Sequence, residues 1–217
     1  MAFPNDDFES YATGDLNTLN GGTGWSEAWG ATNGCNVAFD VVSTPVQNPP
    51  TGTRAVGITS GSDVTCFRKF TANTTANQEV SFYTRSNSTT LHTLTWFYGN
   101  TGQAQLLYYM RSNGQHSSYV NTTLTDLGAY SVDTFYRIRI KVVAYSPTET
   151  YQIQIEAGGY SADKAMYDTT QVHTNTDEIR FAVDTTSHTG NWDDISDATP
   201  VVGTDNRLLY LTLMGVG

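Results

Sequence analysis

A chain of 217 residues suits one large all-β domain, long enough to bury roughly 70% of the surface its unfolded form exposes. Charged residues make up 15% of the chain against a usual figure of about 25%, and the formal net charge is −10, with lysine only at Lys69, Lys141 and Lys164. No basic stripe is available to displace counterions from phosphates, which excludes nucleic acid as a partner, and no apolar run approaches the ~20 residues that would insert in a membrane as a helix.

The start, Met1-Ala2-Phe3-Pro4-Asn5-Asp6-Asp7, lacks the basic residues and apolar run of a signal peptide. Short apolar segments follow at residues 37–42, 64–70, 80–84, 94–98, 105–110, 136–143, 151–155, 178–183 and 191–195. Residues 64–70 and 135–143 alternate with a period close to two, which predicts strands with one buried face and sets Arg137, Arg139 and Lys141 on the solvent side. Breakers separate the segments: Asn20-Gly21-Gly22-Thr23-Gly24, Asn48-Pro49-Pro50-Thr51-Gly52, Asn113-Gly114, Gly158-Gly159 and Thr189-Gly190-Asn191. No long stretch keeps a 3.6 period, although residues 163–167 suit a single helical turn. Many short strands with polar turns indicate an all-β sandwich or barrel. Cys35 and Cys66 both fall in strand-like segments and permit either one disulfide or two buried thiols.

Two passages are more specific. The first is Asp6-Asp7-Phe8-Glu9-Ser10-Tyr11-Ala12-Thr13-Gly14-Asp15-Leu16, running on to Gly24-Trp25. The second sets Tyr136-Arg137-Ile138-Arg139-Ile140 before Tyr151-Gln152-Ile153-Gln154-Ile155, Ile179-Arg180-Phe181 and Trp192-Asp193-Asp194-Ile195. Together they resemble the concanavalin A-like, laminin-G-like jelly-roll superfamily, particularly its bacterial and phage members. The resemblance runs from about Asp6 to Ala198. It implies a two-sheet antiparallel jelly-roll sandwich, lectin-like, over residues 1–199, with its first and last strands side by side. Phe8 and Tyr11 are then expected near Trp192 and Ile195, and Asp7, Glu9, Asp193 and Asp194 at one edge. A structural calcium ion would relieve the repulsion among those four acids; the alternative is that they point to water.

The superfamily includes lectins, glycanases, lyases, adhesion modules and virion proteins, so the resemblance bears on fold more than on function. Its family 16 glycanases carry Glu-x-Asp-x-x-Glu on one strand, where alternation brings two carboxylates to one face about 5 Å apart. No such run exists here; Glu149, Glu156 and Glu178 stand singly. The passage Gln115-His116-Ser117-Ser118-Tyr119, with Arg111 nearby, lacks the spacing of the superfamily's lyases and reads as a polar hairpin tip. The chain is therefore expected not to be an enzyme, the alternative being a polysaccharide lyase or glycoside hydrolase of this superfamily.

Aromatic residues are the better functional material, since carbohydrate sites set Trp and Tyr faces against sugar C–H groups. The candidates are Trp25, Trp29, Trp96, Tyr98 and Tyr109, with Tyr108 pointing opposite to Tyr109. Trp96 and Tyr98 share a strand face, and Trp25 and Trp29, flanked by glycines, are expected to be partly exposed. A second candidate is the segment 200–217, where Leu208, Leu209, Tyr210, Leu211, Leu213 and Met214 make an apolar run on both faces that suits an assembly interface. The expectation is a non-catalytic lectin-like surface module, binding glycan or serving as a structural or decoration subunit of a larger assembly such as a phage virion. Its partners would be other protein subunits, in a homo-oligomer or particle, or a cell-surface glycan, and its place a virion surface or the extracellular space.

Overall fold

A computed structural model describes residues 3–12, 15–32, 55–59, 65–120, 123–167, 169–183 and 188–197. The expected strand at 37–42, Cys35 and the apolar run Leu208–Met214 lie outside the described residues. The strands are β1 (Gly30–Thr32), β2 (Val56–Thr59), β3 (Thr65–Asn73), β4 (Gln78–Ser86), β5 (Thr93–Tyr98), β6 (Ala104–Met110), β7 (Gln115–Val120), β8 (Thr123–Ala129), β9 (Tyr136–Ala144), β10 (Thr150–Ile155), β11 (Lys164–Ala165), β12 (Thr176–Val183) and β13 (Thr189–Asp197). They form a seven-stranded sheet, ordered β1-β3-β12-β5-β6-β7-β8, and a six-stranded sheet, ordered β11-β10-β9-β4-β13-β2. Each ladder is antiparallel. Among the described residues there is no helix, and so none long and apolar enough to cross a membrane.

Alternation explains how the two sheets meet. Ile138, Ile140 and Val142 of β9 are fully buried, whereas Arg137, Arg139 and Lys141 between them are half-buried on the opposite face. Trp192 of β13 crosses to the other sheet, where its ring stacks on Phe181 at 4.8 Å and its Nε1 donates to Thr95 Oγ1 at 2.9 Å. Phe82 of β4 meets Phe97 of β5 and Tyr108 of β6 in the same way, with centroids 6.4 and 6.1 Å apart. These contacts fix Thr95, Phe97, Tyr108 and Phe181 as inward residues. Their immediate neighbours in sequence must therefore face outward.

Three sequence expectations change here. Residues 163–167 make no helical turn; Lys164 and Ala165 pair with Tyr151 and Thr150 as the short edge strand β11. Gln115–Tyr119 is not a hairpin tip but most of β7, the tip itself being the Asn113-Gly114 turn, where Gly114 has φ +74°. Gly190 is not a breaker but part of β13, facing inward. A Cβ there would lie 2.7 Å from Trp192 Cη2, 2.8 Å from Val183 Cγ1 and 2.9 Å from Thr93 Cγ2, so only glycine lets the sheets approach this closely. Gly190→Ala is expected to lower the unfolding free energy by about 1–3 kcal/mol in urea titrations, as overpacking does. A neutral result would mean that the sheets part easily at this point.

The opening motif has a structural role. Asp6 pairs with Ile195 of β13 through both backbone groups, at 2.8 and 2.9 Å, which sets the first segment beside the last strand. Its side chain is buried with Arg68 of β3, Nη1 to Oδ2 2.9 Å. Tyr11 Oη donates to the same carboxylate oxygen at 2.6 Å and Trp29 Nε1 at 3.2 Å. Arg68 also donates to the carbonyls of Glu27 and Gly21, at 2.8 and 2.9 Å, and to the Asn20 side chain. Burial pushes the Asp6 carboxyl up, against these donors and the guanidinium, and pushes the Tyr11 phenol up to about 12. Cys66, next to Arg68 on β3, is disulfide-bonded.

Candidate functional site: the outer face of the seven-stranded sheet

Because Thr95, Phe97, Tyr108 and Phe181 point inward, the register puts a second set of residues on the outer face. Arg180 of β12 lies opposite Trp96 of β5, and Glu178 opposite Tyr98. Trp96 in turn lies opposite Leu107 of β6, and Leu94 opposite Tyr109. Tyr109 lies opposite Ser117 of β7, with Tyr119 two residues further along the same face. Trp96, Tyr98, Tyr109 and Tyr119 are half-buried, while Leu94, Leu107, Ala182 and Ser117 form a floor beneath them that is almost closed to solvent.

The rings form two contacting groups on this face. Trp96 and Tyr98 have centroids 6.4 Å apart, Tyr109 and Tyr119 5.7 Å, and Tyr119 and Tyr167 5.2 Å. His92 stands edge-on to Tyr109 at 6.3 Å. Tyr167 follows β11 and is held over this sheet because its backbone N–H donates to the Gln105 carbonyl at 2.8 Å. Burial pushes the phenols of Tyr98 and Tyr109 up. For Tyr109 the neighbouring phenols of Tyr119, Tyr167 and Tyr98 add to the effect, while the adjacent Trp96 side chain opposes it. Tyr98 and Tyr109 are therefore neutral hydroxyls at pH 7, each able to donate and to accept.

Charged groups border the rings as pairs. The Arg180 guanidinium lies 3.8 Å from the centroid of the Tyr98 ring and 5.7 Å from that of Phe67, and its Nε donates to the Glu178 carboxylate. At the β7–β8 end, Asp126 accepts from Ser117 Oγ at 2.8 Å and from Arg111 Nη1 at 2.9 Å, and those donors hold its carboxyl below the usual range.

Of the aromatic residues singled out in the sequence, the structure brings Trp96, Tyr98 and Tyr109 onto this one face. Trp25 and Trp29 are elsewhere. Trp29 is buried at 1% exposure, its ring between Phe8 and Phe181, which corrects the expectation that it is partly exposed. Its indole N–H, required by the Asp6 carboxylate, draws it into the core. Trp25 is half-buried and covers Arg68, whose guanidinium carbon lies 4.5 Å from the ring centroid. Tyr119, Tyr167 and Arg180 are members that the sequence reading missed as site residues. Alternation along β7 and β12 gives the side of Tyr119 and Arg180, but no sequence signal places Tyr167.

The acidic edge assembles only in part. Asp7 and Asp194 flank the Asp6–Ile195 pairing and line a cleft of about 310 Å³ with Asn5, Thr23 and Ser196. Burial pushes the Asp194 carboxyl up; Arg137 opposes this and Asp7 adds to it. Asp193 is fully buried on the strand and Asp7 is exposed. Among the described residues no three His, Cys, Asp or Glu side chains are placed to share a metal ion. His116 and Tyr119, the materials of a lyase reading, are separated by the sheet: His116 is inward and buried, Tyr119 outward.

The backbone path has known counterparts. A sialidase structure matches over 77% of this chain with a TM-score of 0.57 and 11% sequence identity. The fold is a concanavalin A-like jelly roll. The chain spans 16% of the sialidase's length, so the likeness of the jelly roll does not extend to that whole protein. The globular domain of Trypanosoma cruzi calreticulin matches 81% of this chain, and 82% of its own length, with a TM-score of 0.49 and 7% identity. A Caenorhabditis elegans galectin matches 69% of this chain, and 94% of its own, with a TM-score of 0.41 and 11% identity. No protein-family model and no curated protein sequence matches the chain.

Proposed function

We propose that the protein is a non-catalytic glycan-binding module whose binding surface is the outer face of the seven-stranded sheet. The observation that carries this reading is the convergence of Trp96, Tyr98, Tyr109, Tyr119 and Tyr167 on one half-exposed face. Such rings are normally drawn into the core or scattered singly, and a contiguous patch rimmed by polar groups marks an interaction site. Sugar rings present C–H groups that pack on aromatic faces and hydroxyls that need partners. The neutral phenols, the Glu178–Arg180 pair and the Ser117–Asp126–Arg111 cluster supply both. Glu178 and Asp126 are each engaged by a guanidinium group, which suits holding hydroxyls better than transferring protons.

The assembly role expected for Leu208–Met214 lies outside the described residues and gains no support from the rest of the chain. It remains a separate proposal, that the segment joins the protein to other subunits.

A panel of oligosaccharides tested by calorimetry checks the glycan reading. Trp96→Ala and Tyr119→Ala are each expected to weaken binding at least tenfold, about 1.4 kcal/mol, with the far-ultraviolet circular dichroism unchanged. Undiminished binding in both variants would move the site elsewhere.

A further inference from the structure

We infer that the ligand of this face is an internal stretch of a single neutral glycan chain, and neither a terminal sugar nor the flat surface of a crystalline polymer. This rests on the glycan reading above and narrows it through three observations.

The first is extent. The aromatic side chains are spread over β5, β6 and β7, with Arg180 on β12 beyond them, so the face spans four adjacent strands, about 14 Å at the spacing of neighbouring strands. One sugar ring cannot lie against both Tyr98 on β5 and Tyr119 on β7, two strand spacings or about 10 Å apart. A chain of several can.

The second is orientation. The planes of Trp96 and Tyr98 are inclined by 57°, those of Tyr109 and Tyr119 by 81°, and those of Tyr119 and Tyr167 by 35°. Rings so inclined cannot lie together on one flat surface. They can follow a free chain in which successive sugar rings are rotated about the glycosidic bonds. The rings are also fixed: Leu94 and Leu107 fill the floor beneath them, and Arg180 is stacked on Tyr98. Flattening them would open that floor to water.

The third is charge. Among the described residues, three cations bordering the face have a carboxylate partner: Arg180 with Glu178, Arg111 with Asp126 and Lys69 with Glu27. In a chain of net charge −10 these pairs already neutralise Arg180 and Arg111 where a uronate or sulfate would need them, and a polyanion is repelled at long range. Hydroxyls meet no such barrier, and the Glu178–Arg180 pair offers an acceptor beside a donor.

The test is a length series. Neutral gluco-, xylo-, manno- and galacto-oligosaccharides, from the monosaccharide to the hexamer, are titrated against the whole chain by calorimetry, with oligouronates of matching length and a pull-down on crystalline cellulose. For the neutral series that binds, affinity is expected to rise at least about tenfold between monomer and tetramer and then level off. Tyr98→Ala on β5 and Tyr119→Ala on β7, at opposite sides of the aromatic face, should each shorten the length at which it levels off. Oligouronates should bind at least about tenfold more weakly, and crystalline cellulose should retain none. Full affinity for a monosaccharide, preference for an oligouronate, or retention on the crystalline polymer would each overturn this inference while leaving glycan binding intact. Failure of every saccharide to bind would overturn the glycan reading itself.

Discussion

Replacing Arg68 with methionine is expected to lower the unfolding free energy by about 3–5 kcal/mol, a large part of the usual stability of a domain. Arg68 and Asp6 both have side chains fully closed to solvent, and Asp6 Oδ2 is shared by Arg68, Tyr11 and Trp29. Without the guanidinium, the carboxylate stays buried with its cation gone, and the Gly21 and Glu27 carbonyls lose a donor. Trp25, which packs over the guanidinium, loses its support as well. Asp6→Asn should cost less, because the amide keeps an acceptor for Tyr11 and Trp29. The double variant Asp6→Asn/Arg68→Met should be more stable than the sum of the single losses, because neither then strands a buried charge. Urea unfolding followed by tryptophan fluorescence gives all three values. A loss below about 1 kcal/mol for Arg68→Met would show that the N-terminal segment holds without the ion pair.

The second large effect is on pH. His116 sits at 1% exposure between the sheets, its Nδ1 2.5 Å from Tyr108 Oη, and burial pushes its pKa down from 6.5 to about 4. The rings of Tyr108, Tyr130 and Tyr136 surround it, at 5.9, 5.5 and 4.6 Å. Glu156 acts on the Tyr108 phenol from the β10 end, and no charge in this set is close enough to offset the burial. Between about pH 6.5 and pH 4 the unfolded chain binds a proton at this position and the folded chain does not. Stability should therefore fall as the pH falls through that window, by about 1.4 kcal/mol per unit and on the order of 3 kcal/mol in all. Below about pH 4 both states are protonated and the contribution is constant. His116→Gln, neutral at every pH, should remove this slope while lowering the plateau at pH 7 through the lost Tyr108 contact. An equal slope in the variant would assign the acid sensitivity to carboxylates instead.

Much of the sandwich is legible in the sequence because a half-buried strand must alternate. Ile138, Ile140 and Val142 inside, with Arg137, Arg139 and Lys141 outside, follow from period two alone, as does the shared side of Trp96 and Tyr98. The Asn113-Gly114 turn is legible for a similar reason, since the left-handed backbone at Gly114 favours glycine. The opening motif could be recognised, but its working residue could not. Asp6, rather than Asp7 or Glu9, is the acid that matters, because only the fold brings Arg68, 62 positions away, to it.

Alternation states that two residues share a face; it does not say which face is the core. Tyr108 and Tyr109 are adjacent and chemically alike. One is buried against Phe82, and the other joins the outer platform, because the partner sheet lies on one side only. Similarly, the glycine beside Trp29 points to an exposed ring, yet a buried carboxylate claims its indole. Tyr167 reaches the platform through one backbone hydrogen bond across 62 positions, to Gln105. The sequence by itself determined the strands, their two-sided character and the supply of aromatic rings. Which rings point to water, and that five of them meet there, was decided by strand order and by the side on which the second sheet packs, both of which depend on contacts between residues far apart in the chain.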